Sequence, residues 1–336
     1  MKLDDYSLVR RTQPDGRWLF PYYRSRYAVD LLSRYLGEEK PKKEVQASRF
    51  GRLLHKPEIR RAFAQVGNGV LRRSCLDALW PANPECYRVT LAHWGEDDSD
   101  WHWDQVSRRG YSLVLQINFS ERHDACYRRW LGDREERPFD YRHHPVARGD
   151  FHTLAWVRLD LDLDDGEVLI EEIQSDWVRY AKRAYEACLA PSGTQVPVQR
   201  RWQHYLRKHG FDLDKVRRYY EQALVPHLGY WSELAMAVAI GFIRDDLGLR
   251  SVWCHSPESG AHYKHIGGSK PPRSIYTSLP RSFCFEPIDE PPAFLKRERR
   301  HARSAGSPGS MSRRRRKRWV ARRDLPQVHF WHLMLP

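Results

Sequence analysis

Between Thr153 and Leu189 the spacing of apolar residues changes twice. TLAWVRLDLDL alternates residue by residue, DDG follows, and EVLIEEIQ stays apolar until its last third. Alternation predicts a strand, and an Asp-Gly turn between two strand-like runs predicts an antiparallel hairpin. SDWVRYAKRAYEACL then takes up helical spacing, with Ser175 or Asp176 capping its first turn. Upstream, YYRSRYAVDLLSRYL, EVQASRFGRLL and PEIRRAFAQV predict three helices, Pro57 opening the last. CYRVTLAHW and YSLVLQINF have strand composition, and SERHDACYRRWL reads as a helix capped by Ser120. Downstream, PSGTQVPVQ reads as a linker. Helices follow over 212–225 and 230–247, then a buried strand in RSVWCHS, a short helix in SGAHYKHIGG and a last strand within PPRSIYTSLPRSFCFEP. This order predicts an α+β or mixed α/β fold: one twisted, largely antiparallel sheet flanked by helices. Its parts would be a helical region over 1–80, a core domain over 81–295, a basic low-complexity tail over 296–323 and an apolar end over 324–336 that can dock back on the body.

On a regular strand Val168, Ile170, Glu172 and Gln174 share one face, and Leu169, Glu171 and Ile173 the other. Both faces are apolar before the carboxylates begin, which predicts a central strand covered on both sides. A carboxylate in such a place must be paired, hydrogen-bonded or at a cleft, because an unpaired buried charge is costly. Where a sheet contains parallel strands, clefts form beyond their carboxyl ends. Glu172, Gln174 and Asp176 are therefore candidate catalytic residues. The structural alternative gives them other work: Asp176 caps the helix, Gln174 ties down a loop, and a glutamate pairs with Arg158 across the hairpin.

EIQSDW resembles a box found in uncharacterised phage and prophage proteins, some of them large multidomain polyvalent proteins. There a hairpin of this form is followed by a Pro-containing spacer, W-x-E-L-A, a helix, a strand and a polar loop ending in Tyr. The corresponding runs here are VPHLGYWSELAMAVAIGFIRDDLG and RSVWCHSPESGAHY, and the similarity spans residues 154–265. It implies a phage-like protein and no particular activity. A second similarity, to the GNAT acyltransferases, lies in AMAVAIGFIRDDLG, LRSVWCHS and PESGAHYKHIG. It implies a GNAT-like fold, acyl-CoA as cofactor, and Tyr263 as the acid that protonates the leaving thiolate. Glu258, in the polar loop before Tyr263, joins the candidate set. The family's glycine-rich turn, whose N–H groups hold the cofactor pyrophosphate at a helix N-terminus, is replaced here by QSDWVRYAKR.

The net charge of +14 is unevenly placed. Residues 296–336 hold 13 Lys/Arg against Glu298 and Asp324, whereas residues 1–295 hold 44 against 41 Asp/Glu. Arg313, Arg314, Arg315, Arg316, Lys317 and Arg318 form the densest block, beside Trp319. Such a segment is too charged to fold alone. It attracts a polyanion by neutralising phosphates and releasing counterions, and Trp319 could stack on a base. Nucleic acid is the expected partner of the tail, and a protein partner is open to the body.

No amphipathic apolar face accompanies the tail to suit a membrane. No apolar run approaches the ~18–20 residues that span a bilayer. Six scattered cysteines without C-x-x-C read as reduced thiols of a cytoplasmic protein. His102-x-Asp104 with His143 or His144 has the outline of a facial iron triad. H-x-D is so common by chance that no metal is assigned. Trp94, Trp101 and Trp103 in the same polar stretch suit either base stacking or plugging the sheet from below. No Walker loop, G-x-S-x-G, H-E-x-x-H or paired C-x-x-C occurs, which removes the commonest NTPase, serine-hydrolase, zincin and zinc-finger readings. Two functions remain in view. One is a group-transfer enzyme, acyltransferase-like, with a site at the end of strand 168–174. The other is a non-catalytic DNA- or RNA-binding protein whose body is an interaction platform.

Replacing Arg313 to Arg316, Lys317 and Arg318 with Gln tests the tail. Each phosphate contact to duplex DNA adds about 0.9 to the slope of log affinity on log salt. The intact chain should show a slope of several units on fluorescent DNA or RNA oligonucleotides, and the six-Gln chain a shallower one. Equal slopes would place polyanion binding elsewhere.

Overall fold

The computed structural model describes residues 1–12, 17–67, 69–95, 106–108, 110–133, 136–141, 143–147, 149, 151–264, 272–304 and 328–336, with backbone alone for Arg17 and 299–304. Trp101, His102, Trp103, Asp104 and the block Arg313–Trp319 lie outside the described residues.

Ten strands are present among the described residues: β1 Arg17–Tyr22, β2 Glu39–Pro41, β3 Val70–Arg72, β4 Glu85–Trp94, β5 Ser112–Asn118, β6 Thr153–Asp162, β7 Glu167–Gln174, β8 Ser251–His255, β9 Glu286–Ile288 and β10 Phe330–Met334. Eight form one sheet in the order β1-β4-β5-β6-β7-β8-β10-β9, and β2 with β3 forms a separate pair. Within the large sheet β7 and β8 run parallel and all other neighbours antiparallel. The fold is mixed α/β, one mostly antiparallel sheet flanked by helices, as the pattern predicts.

The local signals hold well. β6 and β7 form the expected hairpin, with Gly166 in its turn at φ +65°, a left-handed conformation that a Cβ disfavours. Ser120 caps helix Glu121–Leu131 by accepting from His123 N–H at 3.2 Å. Ser175 caps helix Asp176–Leu189 by accepting from Val178 N–H at 3.0 Å. Of the two caps the sequence allows, Ser175 is the one used. That helix buries Trp177, Ala181, Ala184 and Ala187 on one stripe. All six cysteines are free thiols.

The non-local features depart from expectation. β1 and helix Leu3–Thr12 form where no element is predicted. Helix Pro197–Lys208 begins in the stretch that reads as a linker, because Gln203 and Leu206 are buried on an otherwise charged helix. Helix Ala293–Ser304 extends the folded body into the residues assigned to the tail, and Arg297 there contacts Asp162 at 3.0 Å. The apolar end does more than dock: β10 inserts between β8 and β9, with Phe330, Trp331 and Leu333 buried.

One face of the sheet carries the main core. Helix Trp231–Gly241 lies across β5, β6 and β7 with Leu234 to Ile240 wholly buried, and helices Arg26–Leu36, Asp176–Leu189 and Leu213–Tyr219 add to the same cluster. The other face has a smaller apolar cluster of Leu169, Trp253, Tyr263, Phe294, Leu295 and Phe330. Its remaining area is polar yet covered. The alternating Asp160 and Asp162 of β6, which by pattern should face water, are 2% and 1% exposed. They are held by Arg108 at 2.8 and 3.0 Å. Among the described residues no single helix is long and apolar enough to cross a membrane. One bent pair, Leu213–Leu228 with Trp231–Asp246, meets that test by length and composition.

Trp331 lies in the inserted strand, and its indole N–H donates to Tyr276 O at 2.8 Å. Trp331→Ala should cost about 3–5 kcal/mol in urea unfolding. Met334→Ala, at an exposed position of the same strand, should stay within about 0.5 kcal/mol. Similar losses at both positions would mean that β10 is a surface appendage.

Candidate functional site

The polar end of β7 is shaped by a bulge. Arg158 of β6 faces Glu172, whereas Leu159 faces Ile170, so Glu171 is an extra residue on β7. An extra residue reverses the alternation of every side chain beyond it. Val168, Ile170 and Ile173 consequently share the main core, and Leu169 faces the smaller cluster. The even division expected from regular alternation is therefore corrected. Glu171, Glu172 and Gln174 all project on the side of Leu169. The parallel ladder with β8 ends at Ile170–Cys254, just before the bulge.

Two linked groups of side chains result. In the inner one, the Arg158 guanidinium meets Glu172 Oε2 at 2.6 Å. Lys264 Nζ donates to the Glu171 carbonyl at 2.8 Å and lies 3.4 Å from Glu172 Oε2. Glu171 Oε1 accepts from Ser107 N–H at 2.9 Å, and its Oε2 is 3.4 Å from His255 Nε2. His255 also contacts Ser107 Oγ at 2.9 Å and Ser259 Oγ at 3.1 Å. Each of these five ionisable residues is at most 4% exposed. Burial raises the Glu171 and Glu172 carboxyls, and their partners more than reverse it. His255, Lys264 and Arg158 act on Glu171; Lys264, Arg158 and His144 act on Glu172; both carboxyls fall below the ordinary glutamate value. Burial pushes the His255 imidazole down against the pull of Glu171, which favours its neutral form. Burial also pushes the Lys264 amine down, against the pull of Glu172 and Glu171.

The outer group lies at the carboxyl end of β7 and is more open. His144 Nδ1 lies 2.7 Å from Asp176 Oδ2 and 3.0 Å from the Gln174 amide nitrogen, and Asp176 Oδ2 also accepts from the Trp156 indole N–H at 3.3 Å. Asp176 Oδ1 accepts from the Gln174 amide at 2.9 Å and from Arg179 at 2.5 Å. Asp176 is 2% exposed, and the His144 side chain 19%. Burial raises the Asp176 carboxyl, but His144, Arg179 and Gln174 hold it below the ordinary aspartate value. In the tautomer whose Nδ1–H donates to the Asp176 carboxylate, Nε2 is left as a proton acceptor.

Comparison with protein-family models, curated proteins and solved structures finds no match.

The five candidate residues fare differently. Gln174 and Asp176 belong to the outer group, and Glu172 to the inner, closed one, where it makes the ion pair with Arg158 that the structural alternative foresaw. Tyr263 is 3% exposed, its ring centroid 6.3 Å from His255 and 5.3 Å from Phe330. Glu258 stands apart on the surface, its side chain 47% exposed and 3.8 Å from Arg273. Sequence reasoning weighed His144 only as an iron ligand, and the structure commits its Nδ1 to Asp176. His255 and Lys264 were missed as well. The available signal was a histidine ending the strand parallel to β7. No group of three or more His, Cys, Asp or Glu able to hold a metal is found among the described residues.

Glu172→Ala leaves two cations short of an anion and should cost about 3–5 kcal/mol. Glu172→Leu with Lys264→Met removes one charge of each sign and should recover most of that loss in urea unfolding. The depressed folded values of Glu171, Glu172 and Asp176 give stability that is present above the unfolded carboxylate range and lost as pH falls below about 4.3. The double variant should lose less over that window. A cost under about 1 kcal/mol for Glu172→Ala would mean a solvated pair.

Proposed function

We propose that the chain is a group-transfer enzyme with His144 as its general base. The observation that carries this reading is the 2.7 Å contact between His144 Nδ1 and a buried Asp176 whose other lone pairs are taken by Gln174, Arg179 and Trp156. In this scheme His144 Nε2 takes the proton of an acceptor hydroxyl or amine as that atom attacks the carbonyl of an acyl donor. The new acyl bond forms, the donor's leaving group departs, and His144 returns the proton to it. Tyr263, buried in an apolar cluster, is poorly placed to supply that proton, so the acid role passes to protonated His144.

An acyl donor is favoured by the run of helix Trp231–Gly241, β8 and helix Pro257–Lys264, which follows the order the acyltransferase resemblance implies. A coenzyme A pyrophosphate is disfavoured at the start of helix Asp176–Leu189, where Ser175 already caps the first turn and the Asp176 carboxylate lies alongside. A simpler acyl thioester is therefore the better substrate class. The free thiols fit a cytoplasmic setting, and the EIQSDW box fits a phage or mobile-element origin. The alternative, a non-catalytic nucleic-acid-binding protein, draws its support from the charge concentrated after residue 295.

Acyl transfer from a small thioester to amines, followed by thiol release, tests the reading. Asp176→Asn should lower kcat by roughly 10²–10⁴-fold with a small change in KM. His144→Gln should do the same. Wild-type rates in His144→Gln would sink the proposal.

A further inference from the structure

Tyr23, in the turn between β1 and helix Arg26–Leu36, stands between two cavities. Both lie against the helical face of the sheet, opposite the His144 site, and share no lining residue with it. The first, about 460 Å³, is lined by Arg24, Arg122, His123, His227 and Tyr230 among others. The second, about 470 Å³, includes Arg26, Arg34, Arg73, Trp80 and Arg244. Tyr23 lines both. Each volume is within the usual range for a small-molecule site.

The interior of the first cavity offers neutral, directional groups. His227 Nδ1 is 2.6 Å from Tyr87 OH, which is 2.9 Å from Tyr230 OH. With Nδ1 engaged, Nε2 is the remaining hydrogen-bonding atom of His227. His123 Nε2 contacts Tyr219 OH at 3.0 Å, and its buried Nδ1 faces Asp124 Oδ1 at 3.7 Å. Burial lowers both imidazoles, His123 to about 4 and His227 to about 3, so near neutral pH each keeps one N–H donor and one acceptor. The approaches are aromatic and rich in guanidinium groups, several of them paired: Arg122 with Glu85, Arg26 with Asp30, and Arg34 and Arg244 with Asp245. Arg24 is exposed and bonded only weakly, to Gly229 O at 3.4 Å. In the second cavity the 48%-exposed Trp80 packs edge-on to Tyr23, with centroids 5.8 Å apart. The Arg26 guanidinium sits 4.5 Å from the Phe20 ring and 4.9 Å from the Trp80 ring. The π-helical turn Phe242–Asp246 presents Arg244 to the same cavity. Such turns recur at functional sites.

We propose that the cavities on either side of Tyr23 form a nucleotide site. Neutral imidazole and phenol groups suit the donor–acceptor edge of a base, which an isolated anion would not need. Aromatic faces at Tyr23 and Trp80 suit stacking, and guanidinium groups at Arg24 and Arg73 suit phosphate. The shared chemistry is a base joined to a phosphate, supplied either by a free mononucleotide or by the end of a strand.

The test uses the full chain carrying the six tail glutamines, so that the tail block does not contribute. Binding of adenosine and uridine monophosphates and of a short single-stranded oligonucleotide is measured by calorimetry. Saturable binding should appear, and Trp80→Ala and Arg24→Glu should each weaken it by about tenfold or more. His144→Ala should keep it, which separates this site from the proposed base. Binding of mononucleotides identifies the free source, and binding of the oligonucleotide alone identifies a strand end. No saturable binding of either at millimolar concentration, or affinity indifferent to both substitutions in chains that keep their melting temperature, overturns the proposal.

Discussion

The arrangement of the sheet's polar face depends on the buried exchange of charge among Arg158, Glu172, Lys264 and Glu171. Any of these charges alone in the interior would be prohibitively costly, and together their contacts offset much of the desolvation. The set is assembled from distant parts of the chain: β6 gives Arg158, β7 both glutamates, and helix Pro257–Lys264 the lysine. Ser107 N–H donates to Glu171 Oε1, and His255 Nε2 lies 3.4 Å from Glu171 Oε2. Such a set contributes little net stability compared with an apolar filling. Its effect is positional, since each element must arrive in register for the charges to cancel.

That positional effect reaches the candidate site. The bulge at Glu171 puts Glu171, Glu172 and Gln174 of β7 on one side of the sheet, and the end of the parallel ladder at Ile170–Cys254 leaves β7 paired only with β6 beyond it. The closed inner group anchors this strand end from within. Gln174 and Asp176 follow directly, and the buried Asp176 orients His144. A reactive side chain is held best when its neighbours are themselves locked. The closed group and the dyad are thus parts of one construction, and of the two only the dyad includes a part-exposed side chain, His144. The sheet separates it from the cavities around Tyr23, so two ligands could bind on opposite faces without competing for side chains.

Much of this was legible in the chain, and the limits follow from the range of the interactions. The β6–β7 hairpin, the Ser120 cap and the central, doubly covered β7 are local or compositional features, and they appear as the pattern predicts. The Arg158–Glu172 pair was foreseen because cross-strand partners in a short hairpin are nearly local. Gln174 and Asp176 were correctly singled out as neighbours at one strand end. Their partner His144 was not, because it comes from an irregular segment with no period to betray its position.

What the sequence determined by itself was the class of fold, the elements with strong periodicity, and the gathering of polar groups at the end of β7. The tertiary structure alone decided which way those groups point, since a bulge is a relation between two strands and reverses alternation without changing a residue. It also decided that β10 enters the sheet between β8 and β9, and that Asp160 and Asp162 are buried. Both outcomes depend on partners more than 50 residues away, Arg108 for the aspartates and β8 for the strand. Burial is a property of what covers a residue, and the covering segments carry no mark of their destination.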